Sequence, residues 1–352
     1  MFGRLWKKKA CSFAIPAWGV TLLTTGIFVA WTLADSPEDN KPPDVNIGMS
    51  ARILTTVDLR DAKASMKAWI EEVTRTTAHP IRGNTDVRII MNEADMRDAV
   101  EKKEVNYVVA LAIDYLRLKD LGLVGKDNAL GIGGTLDEYV VLVNREGDIK
   151  DLEGLKQKKV LVQSGGLGEV PMIWLDTVLM KQGLPASRQF CPELKEVSKA
   201  SAAVLPVFFG HADACVAVRK AFLTMTELNP QIGKRLNVLV QSQGFMRAVS
   251  WFGKDWNKEN SDKYRTMMLD ACHAPTVRQF VALLGSDAVV VWDPALLVPL
   301  EALLKDYDEL RKKAEAGAAR CDGVKTGSDA EPPPVTAPET SGRTDPQCSK
   351  EK

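Results

Sequence analysis

Residues 159–168, Lys-Val-Leu-Val-Gln-Ser-Gly-Gly-Leu-Gly, place the tightest local constraint on this chain. A short apolar run, Val160–Val162, breaks into Ser164-Gly165-Gly166, and an apolar-periodic segment follows with Ile173, Leu175, Val178 and Leu179. That order reads as strand, glycine turn, helix. Such a turn leaves backbone N–H groups without partners at the positive end of a helix, where an anion is favoured. Ser164, Gly165, Gly166 and Leu167 are therefore the first candidate ligand contacts. A glycine turn that merely joins strand to helix carries the same signature, so the rest of the chain must separate the two readings.

The length, 352 residues, fits about two domains or lobes. With 45% hydrophobic and 26% charged residues the chain can bury a sizeable core. Basic and acidic residues balance at 46 each, so no global field points to nucleic acid. The balance hides an asymmetry. Arg4, Lys7, Lys8 and Lys9 lie in residues 1–34 without an acidic residue, so the remainder is mildly acidic. This cluster precedes an apolar run from Ala10 to Leu33, and the polar residues 35–43 follow as a linker. Basic flank, apolar run and polar exit form an export signature. Residues 1–34 are either a signal peptide, with Thr32-Leu33-Ala34 as a small-residue cleavage site, or an uncleaved anchor in the inner membrane through residues 10–33. Both readings put residues 35–352 in a periplasmic or other extracytoplasmic space.

Six cysteines occur, Cys11, Cys191, Cys215, Cys272, Cys321 and Cys348. In an oxidising compartment Cys191–Cys215 and Cys321–Cys348 are possible pairs, and connectivity stays open. Neither the cysteines nor His79, His211 and His273 have metal-binding spacing, so no metal and no cofactor is expected.

From residue 44 strands and helices alternate. A strand at 45–49, a helix from Leu59 with Asp58 as its N-cap, a strand at 87–90, a polar helix at 93–103 and a strand at 105–112 indicate an α/β lobe with a mostly parallel sheet. Gly131, Gly133 and Gly134 mark a loop or hinge approach that lacks the spacing of a dinucleotide fingerprint. A second α/β lobe is expected from strands at 139–143, 160–162, 188–190, 213–218 and 236–241, with a helix at 199–209. A strand at 249–252 and helices at 261–272, 275–284 and 294–315 follow. The boundaries read 44–134 for the first part of lobe 1, 135–245 for lobe 2, and 246–316 for the return to lobe 1 and the C-terminal helices. Residues 317–352, rich in Pro, Ser, Thr and Gly, read as a disordered tail.

This order of export segment, lobe, crossing, second lobe, return crossing and C-terminal helices resembles the phosphate/phosphonate-type solute-binding proteins that feed ABC transporters, a branch of the type II periplasmic-binding-protein fold. Three local matches between about residues 44 and 312 carry the resemblance. Asp151-Leu-Glu-Gly-Leu-Lys-Gln-Lys-Lys-Val160 looks like the lead into the second lobe. Ser164–Gly168 stands where the family has its Ser/Thr/Gly anion loop. Ser198-Lys199-Ala200-Ser201 with Gly210-His211-Ala212-Asp213-Ala214 is similar to the family's Ser-His and Val-Asp-Ala segment. The resemblance implies a two-lobe hinge that closes on a small anionic solute and presents it to an ABC permease or a membrane sensor. It implies that Asp213 lies near the cleft. The chain also departs from the family. Its anion loop is poor in hydroxyls, Lys199 replaces the family histidine as a fixed positive charge, and an acidic partner for a ligand amine is missing near Ala200.

Ser50 follows the first strand, where this architecture places ligand loops, and equally suits a helix cap. Arg52 could meet an anion or stand exposed. Tyr115 and Tyr139 could line a cleft or pack in a core. His211 beside Asp213 is a weak hint of catalysis without a nucleophile at a supporting spacing, so the chain reads as non-enzymatic. The expected function is capture of a phosphate- or phosphonate-like solute between the lobes. A tethered sensory or scaffold module on the same fold is the alternative, and an enzyme is the more remote one.

Overall fold

The computed structural model describes residues 44–54, 58–76, 87–132, 136–256, 258–271, 273–284, 289–290 and 293–325. The expectations for residues 1–43, His79, Gly133, Gly134, Cys272 and residues 326–352, Cys348 among them, lie outside these. No helix among the described residues is long and apolar enough to cross a membrane.

Two sheets organise the fold. In lobe 1 the strands are β1 (Ile47–Ser50), β2 (Val87–Ile90), β3 (Tyr107–Leu111), β4 (Val124–Ile132), β10 (Ala248–Gly253) and β11 (Val289–Val290), in the spatial order β11-β4-β10-β3-β1-β2. In lobe 2 they are β5 (Asp137–Asn144), β6 (Val160–Gln163), β7 (Lys195–Val197), β8 (Ala214–Val218) and β9 (Leu236–Phe245), in the order β7-β6-β8-β5-β9. The fold is thus mixed α/β. β1 runs parallel to β2 and β3, and β6 runs parallel to β7 and β8, while β10, β4, β11, β5 and β9 pair antiparallel.

Helices flank both sheets: α1 (Leu59–Thr76), α2 (Glu93–Glu101), α3 (Ala112–Asp120), α4 (Val170–Lys181), α5 (Ser187–Phe190), α6 (Ala200–Phe209), α7 (Arg219–Leu228), α8 (Pro230–Arg235), α9 (Lys258–Ala271), α10 (Pro275–Leu283) and α11 (Val298–Lys325). Local chemistry sets their starts. The Asp58 carboxylate accepts from the Arg60 N–H at 2.7 Å, and the Asn92 side chain accepts from the Asp95 N–H at 2.9 Å. On α1, Met66, Trp69, Ile70 and Val73 share the buried face, and Trp69 stacks on Phe280 of α10 at 5.3 Å between ring centroids.

Alternation along β5 divides the core of lobe 2 in two. Val141 and Val143 join the main cluster, whereas Val140 and Leu142 point to the other face and pack with Ala203, Val204, Val207 and Phe222.

Four expectations change. The strand placed at 188–190 is helix α5, whose Ser187 N–H is fixed by the Asp176 carboxylate at 2.7 Å, and the neighbouring strand is β7 instead. Cys191 and Cys215 are both buried free thiols. The Cys191 Sγ donates to the Leu155 carbonyl, and Cys215 lies within β8, so no bridge joins them. Gly131 belongs to β4, opposite Val249 and Val290, rather than to a loop. Finally, α11 runs past Gly317, where the tail was expected to begin, to Lys325, and it packs on α4 and β9 of lobe 2. Lys119 of α3 bonds Glu301 at the start of α11, and Lys181 of α4 pairs with Asp306 further along the same helix.

The lobes exchange chain between β4 and β5 and again between β9 and β10. An ion pair joins the two crossings. Arg247, between β9 and β10, holds Asp137, the first residue of β5, through Nε and Nη2 at 2.6 Å each. The Arg247 carbonyl also accepts from the Ala112 N–H at 2.8 Å. Asp137 is almost wholly buried. Removing only the arginine strands that carboxylate, so Arg247→Ala should lose about 3–5 kcal/mol of unfolding free energy in denaturant titrations. An Asp137→Leu, Arg247→Met double variant should lose much less, because no buried charge is left unpaired.

Candidate functional site

Parallel strands send their C-terminal ends to one edge of a sheet, and the loops that follow gather there. In lobe 1, β1 leads to Ser50 and Arg52, β2 to Asn92 and Glu93, and β3 to Asp114 and Arg117 on the first turns of α3. In lobe 2, β6 leads to the loop 164–169 and β7 to Ser198 and Lys199.

These two edges meet. A Cβ built on Gly168, where φ is +60°, would come within 2.7 Å of Leu111 Cδ1 and 3.2 Å of Arg52 Nη2. Only a glycine lets the lobe 2 loop approach lobe 1 this closely. Gly165 is constrained from the other side, since its Cβ would fall 2.3 Å from the Ser198 carbonyl oxygen and 2.8 Å from Ser198 Cα. The glycine loop is therefore wedged between the β7–α6 connection and lobe 1.

An ion cluster fills the junction. Glu169, the residue before α4, extends its carboxylate across to lobe 1. Its Oε2 accepts from Arg52, and its Oε1 accepts from Arg117 Nη1 at 2.7 Å. Arg52 also bonds Asp114 Oδ1, and Arg117 Nη1 bonds Glu93 Oε2 at 2.6 Å. Two guanidinium groups and three carboxylates thus interlock, with Glu169 the sole contributor from lobe 2.

The charges adjust to this setting. Burial opposes ionisation of Glu169, but Arg52 and Arg117 outweigh it and hold the carboxyl below its usual range. Burial likewise opposes the charge on Arg117, and Glu169 and Glu93 more than compensate. Asp114 goes the other way. Burial pushes its carboxyl up to about 6, Arg52 pulls it down, and the charges on Glu169 and Glu93 raise it further. Asp114 is fully buried and its Oδ2 has no hydrogen-bond partner.

The candidates from the sequence fall into three groups. Ser164, Gly165, Gly166 and Lys199 come together at the lobe 2 edge. Among the described residues the Gly165 and Gly166 N–H groups have no partner, whereas the Ser164 N–H donates to the Val197 carbonyl at 2.9 Å. Lys199 is exposed at the N-cap of α6. A second group is structural. The Leu167 N–H donates to the Ser164 carbonyl and its side chain is buried in the core, and α4 itself begins only at Val170. The Ser50 hydroxyl is buried and accepts from the Arg52 N–H at 3.2 Å, the helix-cap reading. Tyr115 packs edge-on against Trp251, and Tyr139 lies between Trp174 and Phe245. Asp213 forms the third group. It accepts from the Lys159 N–H at 2.8 Å, ahead of β6 and β8, at the end of the sheet opposite the glycine loop. The family position implied a cleft residue; here it fixes the start of two strands.

Arg117, Asp114, Glu93 and Glu169 were not singled out from sequence. The usable signals were the place of Asp114 and Glu93 just after apolar strands and of Glu169 just before an apolar helix.

A carboxyl whose pKa is raised by folding stabilises the fold fully below its ordinary value, 3.8, and that contribution fades as pH climbs through about 6. The native protein should therefore lose stability relative to Asp114→Asn between about pH 4 and pH 7 and run parallel to it above. Melting temperatures of both across that range check the sign.

A search of curated proteins returns no match. Among solved structures, XAC2383 from Xanthomonas citri, bound to ATP, superposes with a TM-score of 0.55 at 14% identity over 77% of this chain and 99% of that one. A binding protein component of an ABC phosphonate transporter from Pseudomonas aeruginosa gives 0.51 at 14% identity over 81% and 95%. PhnD1 from Prochlorococcus marinus, in complex with methylphosphonate, gives 0.50 at 10% identity over 76% and 99%. At these identities the likeness is one of fold. Residues 53–297 match the family described as ABC transporter, phosphonate, periplasmic substrate-binding protein. The chain belongs to this family of extracytoplasmic substrate-binding proteins of ABC transporters.

Proposed function

We propose that this protein captures a small oxyanion, phosphate- or phosphonate-like, between its lobes and delivers it to an ABC permease. One observation carries the reading. Arg52 and Arg117 of lobe 1 converge on a single pair of carboxylate oxygens at the glycine-loop edge of lobe 2. Two guanidinium groups so arranged suit any compact oxyanion, because each oxygen receives a charge-assisted hydrogen bond. The N–H groups of Gly165 and Gly166, without a partner among the described residues, add neutral donors from the facing lobe, and Lys199 adds positive potential at its rim. Asp213, Ser50, Tyr115, Tyr139 and Leu167 are left to the scaffold.

Calorimetric titration of the purified protein with phosphate, methylphosphonate and sulfate tests the reading. At least one should bind with measurable heat. Arg52→Ala and Arg117→Ala should each weaken that binding about tenfold or more, the scale of one charge-assisted contact. Absence of heat and of any thermal shift with every oxyanion would overturn it.

The basic cluster and apolar run of residues 4–33 support export of the chain. N-terminal sequencing of the mature protein should then begin at Asp35 for a cleaved leader, whereas retention of Met1 would mark an anchor.

A further inference from the structure

Glu169 occupies a peculiar place for an anion-binding cleft, since the negative group between Arg52 and Arg117 belongs to the protein itself. Its two oxygens go to different arginines, both on the opposite lobe. It stands at the N-cap of α4 without capping that helix through its side chain, so the carboxylate is committed across the junction. Gly168, immediately before it, makes the approach sterically possible. Glu93 and Asp114 also face the arginines, but both come from lobe 1 and neither bridges the lobes.

From this geometry we infer that Glu169 is a tethered competitor for the solute, a built-in anion that holds the lobes together and sets which solutes can enter. The inference rests on the reading that Arg52 and Arg117 receive the solute oxyanion. A side chain on the same molecule competes at a high effective concentration. A solute succeeds only where its charge and its number of oxygens outweigh one carboxylate. A dianionic phosphonate or phosphate meets that condition better than a simple carboxylate such as acetate. Glu169 then acts as a selectivity filter: it rejects weak anions by being one of them. It also shifts the open–closed balance, because only a group that binds the two states differently moves that balance.

Glu169→Gln keeps the shape of the side chain and removes its charge. Two measurements on the full-length protein separate the possibilities. First, calorimetry with methylphosphonate, phosphate and acetate. The variant should bind phosphonate or phosphate about tenfold more tightly than the native protein and should gain measurable acetate binding. Second, small-angle scattering without added oxyanion. The variant should show a larger radius of gyration, which methylphosphonate returns toward the native value. Glu169→Asp, which keeps the charge on a shorter arm, serves as a second variant and should fall between the two in both measurements. Equal or weaker oxyanion affinity in Glu169→Gln, or an unchanged radius, overturns the inference while native binding leaves the oxyanion reading intact. Failure of both proteins to bind any oxyanion overturns the oxyanion reading and the competition together.

Discussion

Two guanidinium groups from one lobe share one carboxylate from the other, and much of the molecule is arranged to make that possible. Charges of this kind are costly to remove from water and hold only where partners surround them. Here the partners come from three successive strand ends of lobe 1 and from one loop of lobe 2. Moving any of those strands by a residue would turn its side chains to the other face and dissolve the cluster. The register of β1 against β2 and β3 is therefore as much a part of the site as Arg52 itself.

The glycine loop supplies the second requirement, which is closeness. A guanidinium and a carboxylate on separate lobes meet only if the backbones around them approach within a side chain's length. Gly165 and Gly168 remove the atoms that would keep the lobes apart. The stretch Ser164–Gly168 lies at the edge of lobe 2. The structure gives it a steric meaning, because the loop makes room for the carboxylate that follows it.

The lobes themselves were legible because their signals are local. The apolar run at 139–143 and helical spacing from Leu59 are written in neighbouring residues, and Asp58 caps its helix two residues on. The two-lobe class followed from the order of such segments. The site was harder to read. Arg52 bonds Asp114 across 62 positions and Glu169 across 117, and nothing in the spacing of those residues announces a meeting. Asp213 shows the converse. A residue aligned with a family motif was carried to the far end of the strand by the direction in which β8 runs. The Ser187–Phe190 segment looked extended because an Arg-Gln-Phe stretch has no strong local preference, and the Asp176 carboxylate decides its helical start from eleven residues away.

The last helix imposes a mechanical condition on all of this. Within α11, Glu301 is gripped by Lys119 of one lobe and Asp306 by Lys181 of the other. Five residues of helix separate the two grips, a rise of about 7.5 Å. Both grips are exposed ion pairs, so each adds little stability by itself. Their consequence is positional: one short stretch of α11 touches both lobes, and any rearrangement between the lobes must either carry that helix with one of them or break a grip.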